Sequence, residues 1–155
     1  MRSSSVGRRG FTLIELLLVI GIIAILASIV IIAINPTKQL GTARDAQRRS
    51  DVNTILNAVY QYSIDNSGAL PGDIPVTPAD AKPVCLGTVT GAACTDAPVS
   101  GVDLSDLTGP YLVDIPQDPN KADATTTGYT IVKDANDRIT VAAVGEQTAS
   151  ISVTR

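Results

Sequence analysis

The sequence predicts an α+β protein: a long N-terminal helix, membrane-spanning in its first half, packed against a small C-terminal antiparallel sheet of about three strands. An uncharged apolar run, LLLVIGIIAILASIVIIAI, fills the 19 positions from Leu16 to Ile34. Beyond Pro36 a helical pattern resumes and carries one apolar face. Short β-rich segments separated by turn residues then lie at the C-terminal end.

At about 1.5 Å per residue the apolar run makes roughly 28 Å of helix, close to the hydrocarbon thickness of a bilayer. It has no polar face, which the surface helix of a soluble domain would show. Arg2, Arg8 and Arg9 precede it, so the positive-inside rule keeps the N-terminus in the cytoplasm and sends the rest across. A cleaved secretory signal is the alternative. Against it, the run exceeds the usual h-region of about 7–15 residues, and its end, AINPTKQ, lacks an A-x-A site. Glu15 stands where a charge is least expected, after Phe11, Leu13 and Ile14 and directly before the run. A carboxylate drawn into hydrocarbon is costly, so it needs a role, either as a cap favoured by the helix dipole or as one half of a charge pair.

In the stretch TKQLGTARDAQRRSDVNTILNAVYQYSIDNSG, Val52, Ile55, Leu56 and Val59 fall at i, i+3, i+4 and i+7. Asn66-Ser67-Gly68 is a stop signal, so the helix is expected over about 36–66, with a bend near Asn35-Pro36. YTIVK (129–133), RITVAAV (138–144) and SISVT (150–154) have strand length. Ile139, Val141 and Ala143 alternate with Arg138, Thr140 and Ala142, the period of a half-buried strand. The links DAND and GEQTA suit hairpins, so a meander covering Ile55 and Val59 is expected. Residues 67–127 read as a long connection rich in Pro, Gly, Asp and Thr, with DLSDL (103–107) as a helical turn.

Composition narrows the function. The chain has no His, which removes the commonest general base and metal ligand. No Walker A loop, GxSxG elbow, HExxH or EF-hand loop appears, and an enzyme is not expected. The formal charge of -3 is unevenly placed. Residues 36–66 carry four basic and three acidic side chains, residues 67–155 five basic and eleven acidic. The acidic head disfavours direct nucleic-acid binding, because little there would release counterions from phosphates. Cys85 and Cys94 can close a small loop. Outside the cytoplasm a disulfide is expected, ahead of a metal pair or free thiols.

The string RRGFTLIELLLVIGIIAILA, Arg8 to Ala27, resembles the class III leader of type IV pilins and type II secretion pseudopilins. The resemblance implies a pilin fold and cleavage by a prepilin peptidase between Gly10 and Phe11, with N-methylation of Phe11. It implies that Glu15 pairs with the N-terminal amine of a neighbouring subunit during assembly. YLVDIPQDP (111–119) resembles a segment that precedes the sheet in major pseudopilins, although Asp-Pro pairs also arise simply as turn formers. The organisation expected is a leader at 1–10, a transmembrane and filament-core helix at 11–35, and an amphipathic helix at 36–66. A connecting region at 67–127 holds Cys85 and Cys94, and the sheet occupies 128–155. The expected partners are other copies through their N-terminal helices, the peptidase, an assembly platform with its motor, and the membrane before assembly. The expected location is a single-pass cytoplasmic membrane precursor and then an extracellular filament. A pseudopilin of a secretion or competence apparatus is the same-class alternative, and a membrane-anchored surface binding module is the alternative from another class. No cofactor is expected. Calcium occurs in the β-region loops of some pseudopilins, but neither Asp114/Asp118 nor Asp134/Asp137 matches a ligand pattern. Many pilins carry a proline midway through the membrane helix; here that stretch has only Gly21, and Pro36 comes at its end.

Overall fold

A computed structural model describes residues 10–86, 94–96, 99–121 and 125–155. The arginines of the leader lie outside the described residues. The chain divides into two units, Met1–Gln39 and Leu40–Arg155.

The first unit holds α1, Leu13–Ile34. It starts at Thr12, whose extended backbone and hydroxyl cap the first turn, and it continues through an apolar run without proline. Its 22 residues have a mean hydropathy of 3.3 over the most apolar window, and none is buried. By length and composition this helix can cross a membrane. It stops at Asn35, which adopts the left-handed conformation (φ 48°, ψ 78°) that asparagine tolerates better than most residues. Pro36 then opens α2, Pro36–Asp65, at the position where a missing N–H costs nothing. The Asn35 side-chain oxygen accepts the Lys38 N–H at 3.3 Å, so one residue ends the first helix and caps the second.

The second unit is an α+β head built on α2 from Leu40 onward. Val52, Ile55, Leu56 and Val59 are fully buried, as the helical spacing predicts. They meet Tyr129, Ile131, Ile139, Val141, Ala143 and Ile151 in one core with Leu104, Leu107 and Ile115. The helix ends at Asn66-Ser67-Gly68, where Ser67 and Gly68 both take positive φ and the Gly68 N–H bonds the Ser63 carbonyl.

The sheet has four strands. β1 is Lys82–Cys85, β4 Thr126–Lys133, β5 Ile139–Ala143 and β6 Ile151–Thr154. Their order is β1-β4-β5-β6 and every pairing is antiparallel. The β4-β5-β6 meander matches the expected one, and β5 buries Ile139, Val141 and Ala143 in strict alternation. The extra strand, β1, comes from the connecting region. Pro83 argues against a strand in sequence, but β1 is the outer strand of the sheet and has a bulge between Pro83 and Cys85, where proline is tolerated. Beyond β1 a two-stranded ribbon, β2 (Thr95–Asp96) with β3 (Val99–Ser100), returns to the sheet at Val102, which bridges Val84.

Cys85 and Cys94 form a disulfide with Cα atoms 5.5 Å apart, both side chains fully buried. Gly101 passes against it so closely that a Cβ there would sit 2.4 Å from the Cys94 sulfur. The staple therefore ties the ribbon to the sheet through a position only glycine fits. Cys85→Ser with Cys94→Ser should cost about 2–3 kcal/mol, the value of closing a loop this short. Denaturant unfolding of the full chain in detergent, with and without the pair, measures it.

Candidate functional site

The residues singled out at the N-terminus lie together at the start of α1. Gly10 and Phe11 precede the helix in non-helical backbone; Phe11 is 90% exposed, and a Cβ added at Gly10 would meet no described residue within 4 Å. Exposed non-helical backbone of this kind is what a protease cleft can take up at the Gly10–Phe11 bond.

Thr12 and Glu15 form a reciprocal capping box. The Thr12 N–H and hydroxyl donate to Glu15 Oε2 at 2.8 and 2.7 Å, and the Glu15 N–H donates to the Thr12 hydroxyl at 3.3 Å. The box draws the carboxylate back toward the backbone next to Phe11. Capping thus explains how Glu15 is oriented. It leaves the charge itself unbalanced, because no cation pairs with it among the described residues.

A second polar constellation, which the sequence did not reveal, lies within the head. Arg48 is 2% exposed and its guanidinium reaches three carboxylates. It grips Asp118 with two bonds at 2.6 and 2.9 Å, Asp45 at 2.9 Å and Glu146 at 3.1 Å. Asp45 in turn accepts the consecutive N–H groups of Glu146, Gln147 and Thr148 at 2.8–3.0 Å. Gly145 permits this turn, because a Cβ there would lie 2.1 Å from the Thr148 carbonyl oxygen. One turn further along α2, Asp51 accepts from the Tyr129 hydroxyl at 2.7 Å and from Gln47 at 2.7 Å. The polar half of α2 is thus bolted to the segment before β4 and to the β5–β6 loop. The signal available in sequence was the Asp45/Arg48 spacing, one helical turn apart.

The electrostatics follow from these contacts. The Glu146 N–H leads the bonds that hold the Asp45 carboxyl far below its usual range, against the opposing pull of desolvation. Desolvation also pulls Asp118 upward, yet Arg48 and the Asn120 N–H outweigh it and leave it below the ordinary carboxylate value. Both carboxyls have folded values under their unfolded ones. Their contribution is therefore complete above about pH 4 and lost as pH falls below it. A denaturant midpoint that drops between pH 6 and pH 3 is the expected result.

The acidic pairs noted in sequence do not act as pairs. Asp118 belongs to Arg48, while Asp114 accepts the N–H of the adjacent Ile115 at 2.8 Å. Asp134 closes the β4–β5 turn by accepting the Asn136 and Arg138 N–H groups, and Asp137 binds Lys133 at 2.8 Å. Among the described residues no three His, Cys, Asp or Glu side chains are grouped as a metal ion would need.

Residues 6–33 match the prokaryotic N-terminal methylation motif. No curated protein and no solved structure matches the chain.

Proposed function

We propose that this chain, a precursor carrying the class III prepilin leader of the type IV pilin and pseudopilin family, is a structural subunit of a type IV pilus-like surface filament. The observation that carries the reading is the methylation motif set on a helix with no buried residue. Such a helix, apolar all round, needs either lipid or other helices like itself. In the membrane lipid covers α1; in a filament, the α1 helices of neighbouring copies do. A prepilin peptidase cuts between Gly10 and Phe11 and methylates the new amine of Phe11. The motif and the apolar helix fit membrane anchoring before assembly. An assembly platform and a cytoplasmic motor extract the subunit, and the acidic head forms the filament surface.

Shearing intact cells and determining the N-terminal peptide of this protein in the released material tests the reading. An N-methylated chain beginning at Phe11 in a sedimentable fraction is the expected result. A full-length chain retained in the membrane would overturn it in favour of an anchored binding module. A processed chain that stays with the cells would point to a short pseudopilus.

A further inference from the structure

A cleft of about 500 Å3 opens in the head between the last turns of α2, the loop that follows them and the β4–β5 turn. Its volume falls in the range of small-molecule sites, about 300–1,000 Å3. Backbone contacts hold its walls, so the cleft is formed before any ligand arrives. The Lys133 N–H bonds the Pro75 carbonyl at 2.8 Å and fixes the loop to the sheet. Gly72 has φ 63°, and a Cβ there would lie 2.3 Å from the Asp103 carbonyl oxygen, so only glycine lets the loop take this path. On the far side the Asp137 N–H closes its turn on the Asp134 carbonyl at 3.1 Å.

The lining mixes apolar ground with polar groups of both kinds. Ile74 and Ile139 are buried beneath it. The Tyr60 hydroxyl is already committed, donating to the Arg155 carbonyl and accepting the Ile139 N–H, so this residue offers its ring. Lys133 gives one proton to Asp137 at 2.8 Å and keeps two to donate. Among the described residues neither the Ser63 hydroxyl nor the Asp73 carboxylate has a hydrogen-bond partner, and both line the cleft.

These groups select a ligand chemistry. Two carboxylates against one ammonium oppose a phosphate or another bare anion. A bare divalent cation needs several converging oxygens, and no acidic group of that kind occurs among the described residues. A wholly apolar ligand would strip water from Ser63 and Asp73 and return no hydrogen bond. A neutral sugar meets every condition. Neighbouring hydroxyls donate to the Asp73 carboxylate, another exchanges with Ser63, one accepts from Lys133, and the C–H face of the ring lies against Tyr60 and the isoleucines. We propose that this cleft binds a neutral saccharide, with Asp73 as its principal acceptor. The inference is independent of the polymer reading, because the cleft is built within the head and a dispersed chain carries all of it.

The test titrates the full chain, in a detergent without a sugar headgroup, with lactose, cellobiose and diacetylchitobiose, and reads saturation transfer from protein to sugar protons by NMR. At least one of the three should bind. Asp73→Ala should weaken that binding about tenfold or more, the value of hydrogen bonds to a charged group. Asp106→Ala, which removes an exposed carboxylate outside the cleft, should bind as the unaltered chain does. Asp73 makes no bond within the head, so its loss should leave the unfolding midpoint in place. Should the midpoint fall, Ser63→Ala gives the decision, with weakened binding supporting the site and unchanged binding ending it. Binding of none of the three sugars, or binding that Asp73→Ala leaves intact, would overturn the proposal. Tighter binding of free lysine, offered in parallel, would overturn it too and assign the cleft to an amine.

Discussion

Arg48→Met will destabilise the head by about 3–5 kcal/mol, because it removes the cation and leaves buried carboxylates facing one another. The comparison that gives this number meaning is Arg138→Met. Arg138 pairs with Asp134 at 2.7 Å, but its side chain is 60% exposed, and an exposed pair contributes about 1 kcal/mol or less. Distance alone would rank the two arginines as equals; burial separates them. Against a total stability of about 5–15 kcal/mol for a domain, the first substitution threatens folding and the second does not. Unfolding of the full chain in detergent can be followed by tyrosine signal, since Tyr129 lies in the core beside the Arg48 network and the chain has no Trp. The pH dependence should also change, through Asp118. In the unaltered chain acid weakens the head by protonating Asp45 and Asp118. In Arg48→Met the Asp118 carboxyl loses the cation that offsets its desolvation, so protonating it should recover part of the loss, while Asp45 keeps its three N–H donors. Equal losses for the two arginines, or an unchanged acid response, would show that Arg48 is a surface residue in effect and that the head is held by its apolar core alone.

The same residue shows where sequence reasoning stops. Periodicity made the core side of α2 legible, because Val52, Ile55, Leu56 and Val59 obey a helical repeat and Ile139, Val141 and Ala143 obey a strand repeat. Arg48 breaks no local rule and looks like one more solvated cation in a polar stretch. Two of its three partners lie 70 and 98 residues away, and no pattern of near neighbours signals a pairing at that range. β1 was hidden for a different reason, since Pro83 is acceptable only because it stands beside a bulge in the outer strand of the sheet, a fact of topology. The N-terminal segment was the reverse case. There the proposed function lies in contiguous residues, so Gly10, Phe11 and Glu15 could be singled out without the fold, while the capping role of Thr12 needed the geometry.

Glu15 offers the sharpest test of the assembly reading, because its two roles respond differently to one atom. As a cap, the side chain needs only an acceptor for the Thr12 N–H and hydroxyl, and glutamine serves a capping box as glutamate does. As the partner of a neighbour's amine, it needs its negative charge, since an amide leaves the cation uncompensated in a low-dielectric bundle. Glu15→Gln, like Glu15→Ala, should therefore preserve membrane insertion and cleavage before Phe11 and still lose most of the sedimentable polymer. Thr12→Val removes the hydroxyl but leaves the charge, and should assemble better than either. Polymer yield from sheared cells, set against the amount of processed chain in the membrane, separates the cases. If Glu15→Gln assembles normally while Glu15→Ala fails, the carboxylate acts by capping its own helix, and the contact that sets register between subunits must lie elsewhere along α1. If both fail with processing intact, the isolated charge ahead of the apolar run is there for a second chain.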